Sequence, residues 1–256
     1  SIVGELLTID SEKSFFSLLK REYKELFPRL GDRTRFNRTK RNLHLVISKI
    51  RGYISEFMQL YSNNIRVIDS MPIPVCEFGR ARFSKCFKGE ASYGICASKK
   101  ETYFGFKFHA LTTVDGFLTD YVITPANIDD RNAVWDLCDK YRSISIIGDK
   151  GYINKRLTPE LKSERDIDLL FLKRANSRDN YPKEVRQLLF KVRRRIETSF
   201  SQLTEQLNLN KVKSKSMLGF ITRTSIKVLA HNISFLINKL MRNDDSMAKI
   251  KRLVFG

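Results

Sequence analysis

The segment from Tyr103 to Thr124 constrains the fold more than any other part of this chain. Phe104, Phe106 and Phe108 alternate with Gly105, Lys107 and His109, the period of two expected of a strand with two distinct faces. Asp115-Gly116 supplies the residues a tight hairpin turn needs, and Phe117 to Thr124 returns as a second strand ended by Pro125. After this antiparallel pair the rhythm changes. Asp129 or Asp130 can cap a helix reaching about Tyr141 through Val134, Leu137 and Cys138. The run from Ile144 to Asp149 is nearly all apolar, as in a parallel strand buried on both faces. A short helix follows Thr158-Pro159, and Ile167 to Leu172 reads as another strand. Antiparallel strands followed by helix–strand alternation predict a mixed α/β sheet flanked by helices.

Upstream, Ile65 to Asp69 is a β-branched strand that Pro72 and Pro74 are expected to stop, and residues 77–102 read as a basic loop rich in Gly and Ser. Residues 11–27 carry a helical pattern that Ser11 can cap, and a second helix is expected over 42–61. Between them lies a basic connector containing Arg29, Arg33, Arg35, Arg38, Lys40 and Arg41. This helical region is either part of a DNA-binding head or a cap on the main domain. Downstream, Val185, Leu189, Val192, Ile196, Phe200, Leu203 and Leu207 form one long helical stripe. A last helix is expected from Gly219 to Met241, as a cover for the sheet or as a contact between copies. The expected division is a basic helical region over 1–63, an α/β domain over 64–207 and a helical extension over 208–256.

Charge narrows the partners. The 256 residues carry 47 Lys+Arg against 28 Asp+Glu, a net of +19, and such a field draws polyanions, of which nucleic acid is the commonest. Composition alone does not choose DNA over RNA, and a merely solvated basic surface has the same signature. No run approaches the roughly eighteen apolar residues of a membrane span, and Ser1-Ile2-Val3-Gly4 does not open a signal peptide. With no initiator Met, the sequence reads as a piece with residues missing upstream. Cys76, Cys86, Cys96 and Cys138 form no CxxC pair, which favours reduced thiols in the cytoplasm over a structural metal.

Three carboxylates stand where chemistry is expected. Asp69 ends the first strand and Asp149 ends the buried parallel one, and ligands of open α/β sheets gather outside the carboxyl ends of strands. Two carboxylates placed there repel one another unless a cation or proton intervenes, and Mg2+ suits a site of hard oxygen ligands. Glu197 lies at the edge of the helical stripe, where it can be aimed at the strand ends. Each has an ordinary reading too: Asp149 before Lys150-Gly151 as a turn residue, Asp69 as a cap, and Glu197 as the partner of Arg193 in an (i, i+4) pair.

Ile68-Asp69-Ser70, Gly148-Asp149-Lys150-Gly151-Tyr152 and Arg193-x-x-x-Glu197 resemble, in order, the three catalytic blocks of bacterial insertion-sequence transposases of the DDE type. The stretch from Tyr103 to Ala110 with Asp115-Gly116 resembles their second-strand block. The likeness runs over about 64–235 and is nearest to the insertion sequence 982 group. The 48 residues from Asp149 to Glu197 leave no room for the insertion domain some relatives carry. Phe190 and Thr204 stand where related families often have Tyr and Lys, which bears on how a DNA end is held.

The resemblance implies a ribonuclease-H-like sheet, of three antiparallel strands and then βαβ, and a catalytic, metal-holding triad of Asp69, Asp149 and Glu197 with two Mg2+ or Mn2+ ions. It implies hydrolysis at element ends, then attack of the freed 3′-hydroxyl on target DNA. Lys107, His109, Lys150, Arg193 and Arg194 become the expected DNA phosphate contacts, and Arg195, one step on, faces elsewhere. The implied partners are element-terminal repeats, target DNA and a second copy of the chain in a dimer or higher oligomer, at the bacterial nucleoid. Three alternatives share some of these features: a ribonuclease-H-like nuclease or resolvase, an inactive transposase relative that only binds DNA, and a structural RNA-binding protein.

Overall fold

The computed structural model describes residues 1–60, 63–96, 99–152, 154, 156–172, 181–242 and 248–250; the side chain of Lys150 lies outside that description. The chain forms two compact units, one of residues 59–201 and one assembled from residues 1–58 and 202–256.

The first unit is built on a mixed six-stranded sheet. The long strand β3 (Glu101–Thr112) lies antiparallel to β1 (Ile65–Pro74) on one edge. Its other edge is shared by β2 (Ser92–Cys96) and β4 (Leu118–Pro125), both antiparallel to it. The β3–β4 hairpin turns through Gly116 at φ +97°, a conformation that favours glycine. On the far side of β1 come β5 (Ser145–Gly148) and β6 (Asp168–Phe171), both parallel to it. Strand β2 falls within residues expected to be loop. Its five residues alternate poorly in polarity and are ordered by pairing with β3.

Pro72 and Pro74 do not stop β1. The Val75 N–H donates to the Phe104 carbonyl at 3.0 Å, so odd-numbered residues of β1 direct their N–H groups at β3 and even-numbered ones away from it. On that other side β5 pairs only with Ile65–Val67. The two prolines therefore occupy positions where no ladder donor is required, the condition under which strands tolerate them. A close approach marks the same region. A Cβ on Gly105 would stand 2.2 Å from the Ile73 carbonyl oxygen, so only glycine lets β3 lie against β1 there.

Helices cover both faces. On one, α5 (Ala133–Cys138) and α6 (Leu157–Arg165) close a core of Ile68, Leu111, Val134, Leu137, Ile146 and Leu161. On the other, α7 (Lys183–Ser201) packs on β1 and β5, with the Phe200 ring 6.2 Å from that of Phe108. The stripe expected to continue to Leu207 as one helix changes at Gln202 into a π-helical segment, Gln202–Gln206, marked by the Leu207 N–H to Gln202 carbonyl bond.

The second unit is helical: α1 (Ile2–Leu6), α2 (Glu12–Glu22), α3 (Arg33–Asn42), α4 (His44–Phe57) and α8 (Met217–Leu240). Ser11 caps α2 as expected, accepting from the Ser14 N–H at 3.3 Å. The basic connector is itself the helix α3, started by the Asp32 carboxylate accepting from the Arg35 N–H at 2.8 Å. It buries no residue fully, which is why its apolar periodicity is absent from the sequence. Helix α8 packs against α1, α3 and α4. It is buried nearly all round, through Phe220, Ile226, Leu229 and Phe235 and also Lys227, His231 and Asn232. The terminal segments, legible only as separate regions, thus form one unit around a central helix.

Candidate functional site

Asp69, Asp149 and Glu197 are gathered from three elements of the sheet unit onto one guanidinium. Strands β1 and β5 are parallel and their pairing ends at Val67 and Ile147, so Asp69, inside β1 and not at its end as expected, and Asp149, just past β5, lie where the two strands part. Helix α7 crosses that edge and presents Arg193 and Glu197 one turn apart. The Arg193 Nη2 lies 3.5 Å from Asp69 Oδ2 and 4.0 Å from Asp149 Oδ2, and its Nη1 lies 3.2 Å from Glu197 Oε1. The three acids differ in surroundings. The Asp69 side chain is 18% exposed, Asp149 41% and Glu197 49%. Burial, reinforced by the neighbouring Asp149 and Glu197 charges, pushes the Asp69 carboxyl up from 3.8 to about 6, against the Ser70 N–H bond and Arg193.

Among these four groups, three carboxylates face one guanidinium, which leaves an excess of two negative charges once all are ionised. Oxygen donors with uncompensated charge are what a hard divalent cation binds. Among the described residues no group of three or more His, Cys, Asp or Glu is drawn close enough to hold a metal ion. The donor chemistry fits a divalent ion, and Arg193 occupies the position between the acids. Arg193→Ala is expected to lower stability in chelator by about 1–2 kcal/mol at pH 8. The loss shrinks toward pH 5, where Asp69 takes up a proton and needs less counter-charge; thermal unfolding at the two pH values reads this directly.

Lys107 and His109 lie on the opposite side of the sheet from Asp69. Adjacent strand residues point to opposite faces, and β1 pairs Ser70 with His109 and Pro72 with Lys107, while Asp69 pairs with Ala110. Lys107 Nζ donates to the Asp130 carboxylate and to the Ile128 carbonyl, both at 2.8 Å. His109 is wholly buried, its Nε2 2.9 Å from Thr124 Oγ1. Burial holds its imidazole well below the usual range, so it is neutral at physiological pH. In this arrangement both side chains, expected as phosphate contacts, are engaged with protein groups. Arg194 and Arg195 are both exposed on α7.

Asp129 and Asp130 are each expected as a possible helix cap. Asp129 is one, accepting from the Arg131 N–H at 2.9 Å. Asp130 is instead drawn against Lys107 and Ser70, directly behind Asp69. Asp130 follows β4 while its partner Lys107 lies on β3, so the pairing is legible only in the register of β1, β3 and β4. Tyr152, from the Gly-Asp-Lys-Gly-Tyr block, is also buried here, its phenol beside Ser70. Burial raises its phenol well above the ordinary value. The four cysteines are free thiols, and only Cys138 is fully buried.

Residues 59–217, more than half of the chain, match the family model described as the transposase DDE domain. No curated protein matches the sequence. Among solved structures, the fold is similar to that of a chain in the "Cryo-EM structure of piggyBac transposase synaptic complex with hairpin DNA", at a TM-score of 0.50 and 11% identity, covering 99% of this chain and 68% of that one.

Proposed function

The chain belongs to the transposase DDE domain family, and from that premise we propose that it cuts DNA at insertion-sequence ends and joins the freed 3′-hydroxyls to target DNA. Asp69, Asp149 and Glu197 are the catalytic groups in this reading. The observation that carries it is their convergence, from β1, the end of β5 and α7, on Arg193 within the matched residues. The sheet order β4–β3–β1–β5–β6, antiparallel first and parallel after β1, supports the ribonuclease-H-like form of the fold. The order of the sequence blocks supports the bacterial insertion sequence 982 group.

DDE transposase domains generally use divalent metals, and here Asp69, Asp149 and Glu197 would hold two Mg2+ or Mn2+ ions. Such ions, when bound, activate an attacking oxygen and hold the departing 3′ oxygen. The protein's own groups divide the remaining work. Asp69, on a paired strand and mostly buried, is the rigid member. Asp149, at the start of a short 3-10 turn, and Glu197, on a helix face, are more exposed and able to adjust to a substrate phosphate. Arg193 offsets part of the charge of the three acids and would be free to turn its guanidinium to a DNA phosphate. Arg194, exposed beside it, and Lys150 extend the contact. The net charge of +19 brings the DNA in. One phosphodiester replaces another, so no nucleotide hydrolysis is required. The partners are element ends, target DNA and a further copy of the chain in a homodimer or larger assembly, at the nucleoid. No helix among the described residues is long and apolar enough to cross a membrane.

The test is incubation with DNA carrying the element's terminal repeats and Mg2+ or Mn2+. Asp69→Ala, Asp149→Ala and Glu197→Gln are each expected to lose cleavage on the order of 10^3-fold, the scale of removing a transition-state stabilising group, while retaining DNA binding. Any one that cuts like wild type is not part of the site. Cut ends without joined products identify a nuclease, and binding without cutting an inactive relative.

A further inference from the structure

Behind Asp69, on the other face of the sheet, is a half-buried chain of polar groups that the proposed chemistry does not use directly. Lys107 Nζ donates to Asp130 Oδ1 at 2.8 Å, and Ser70 Oγ donates to Asp130 Oδ2 at 3.1 Å. The Ser70 backbone N–H donates to Asp69 Oδ1 at 2.8 Å. Ser70 thus holds one carboxylate with its hydroxyl on one face and another with its amide toward the opposite face. His109 stands alongside with Nδ1 3.9 Å from Asp130 Oδ1.

The need for such an anchor follows from the strand. Among the described residues β1 has no strand partner on its β5 side beyond Val67, and Pro72 and Pro74 remove the donors that could recruit one. The Ser70 N–H points to that open side and is spent on Asp69. Its direction depends on the plane of the 69–70 peptide, which the ladder to β3 grips on one edge only. Asp130, itself pinned by Lys107 and by the turn after β4, grips Ser70 from below.

We infer that Asp130 and Lys107 are positioning residues that act through Ser70 to orient the Asp69 carboxylate for a divalent cation. This rests on the reading of Asp69 as a metal-holding group. Lys107 fixes Asp130 through their ion pair, and the Ser70 hydroxyl transmits its position across the sheet. Outer groups that orient a ligating carboxylate commonly change metal affinity by ten- to a hundredfold when removed.

The experiment is titration of the full chain with Mn2+, followed by electron paramagnetic resonance, at neutral pH and without DNA. Ser70→Ala, which keeps the Lys107–Asp130 pair, and Asp130→Asn are expected to weaken Mn2+ binding by about tenfold or more. Ser70→Thr, retaining a hydroxyl, and Asp129→Asn, altering the exposed neighbouring acid, are expected to bind as wild type does. Equal binding by wild type and Ser70→Ala overturns the positioning role alone. A wild-type protein that binds no Mn2+, or binds it undiminished after Asp69→Ala, overturns the carboxylate reading and this inference with it.

Discussion

Asp69→Asn is expected to make the metal-free protein more stable at pH 8 while abolishing cleavage. Burial is the largest influence on this carboxyl, and the charges of Asp149 and Glu197 add to it, raising its pKa from 3.8 to about 6 in the folded chain. A carboxyl whose folded pKa is raised binds its proton more tightly in the native state. Stability therefore falls as pH rises from about 4 to 6, and the full penalty is present above that window. A shift of about two units corresponds to roughly 3 kcal/mol, which the neutral amide avoids. In chelator, urea unfolding is expected to show the variant ahead by up to about 3 kcal/mol at pH 8 and level with wild type near pH 4. Divalent ions, binding only the native wild type, narrow the gap. A variant less stable than wild type at pH 8 would mean that Arg193 and the Ser70 N–H outweigh burial, contrary to the direction found here. The same desolvated charge that weakens the fold is the one available to a cation.

The second large effect lies in the helical unit. Lys227, with a side chain only 4% exposed in the middle of α8, has Nζ 2.5 Å from Glu5 Oε2 and 2.5 Å from the Leu207 carbonyl, with Asp10 at 3.9 Å. Glu5→Ala leaves a buried ammonium with its closest counter-charge removed, a change that costs about 3–5 kcal/mol in such pairs. Amide exchange along α8 is expected to quicken accordingly. Glu5→Ala combined with Lys227→Met removes both charges and is expected to recover most of the loss. A loss under about 1 kcal/mol for Glu5→Ala alone would show that Asp10 moves in to replace Glu5. The pair ties the first helix of the chain to its last long one, so its loss acts on the unit that carries the basic helix α3.

Much of the sheet is legible directly. The alternation from Phe104 to His109, the Asp115-Gly116 turn and the apolar run ending at Asp149 each depend on neighbours a few residues away. Their structural outcomes are β3, the hairpin and β5. Elements whose order comes from distant partners are not legible in the same way. Strand β2 is held by β3, α3 has no buried residue to impose a period, and Pro72 and Pro74 are tolerated because β5 stops short of them. Phe200 continues the stripe of α7 against Phe108, but nothing local to Gln202 announces the change to a π-helical segment.

The same division runs through the site. Three acids in order, two with the strands and one on a helix, are a property of the sequence, as are the net charge of +19 and the family blocks; that Asp69 lies inside its strand and not at its end is not. Tertiary structure alone decides that Arg193 reaches Asp69 from 124 positions away, and that Asp130 meets Ser70 from 60. It also decides that Lys107 and His109 sit behind the sheet when their neighbours in the chain face the front. Local hydrogen bonding and apolar periodicity are short-range and are written in consecutive residues. Which carboxylates share a cation depends on strand register and helix placement, where a step of one residue exchanges the two faces of a strand.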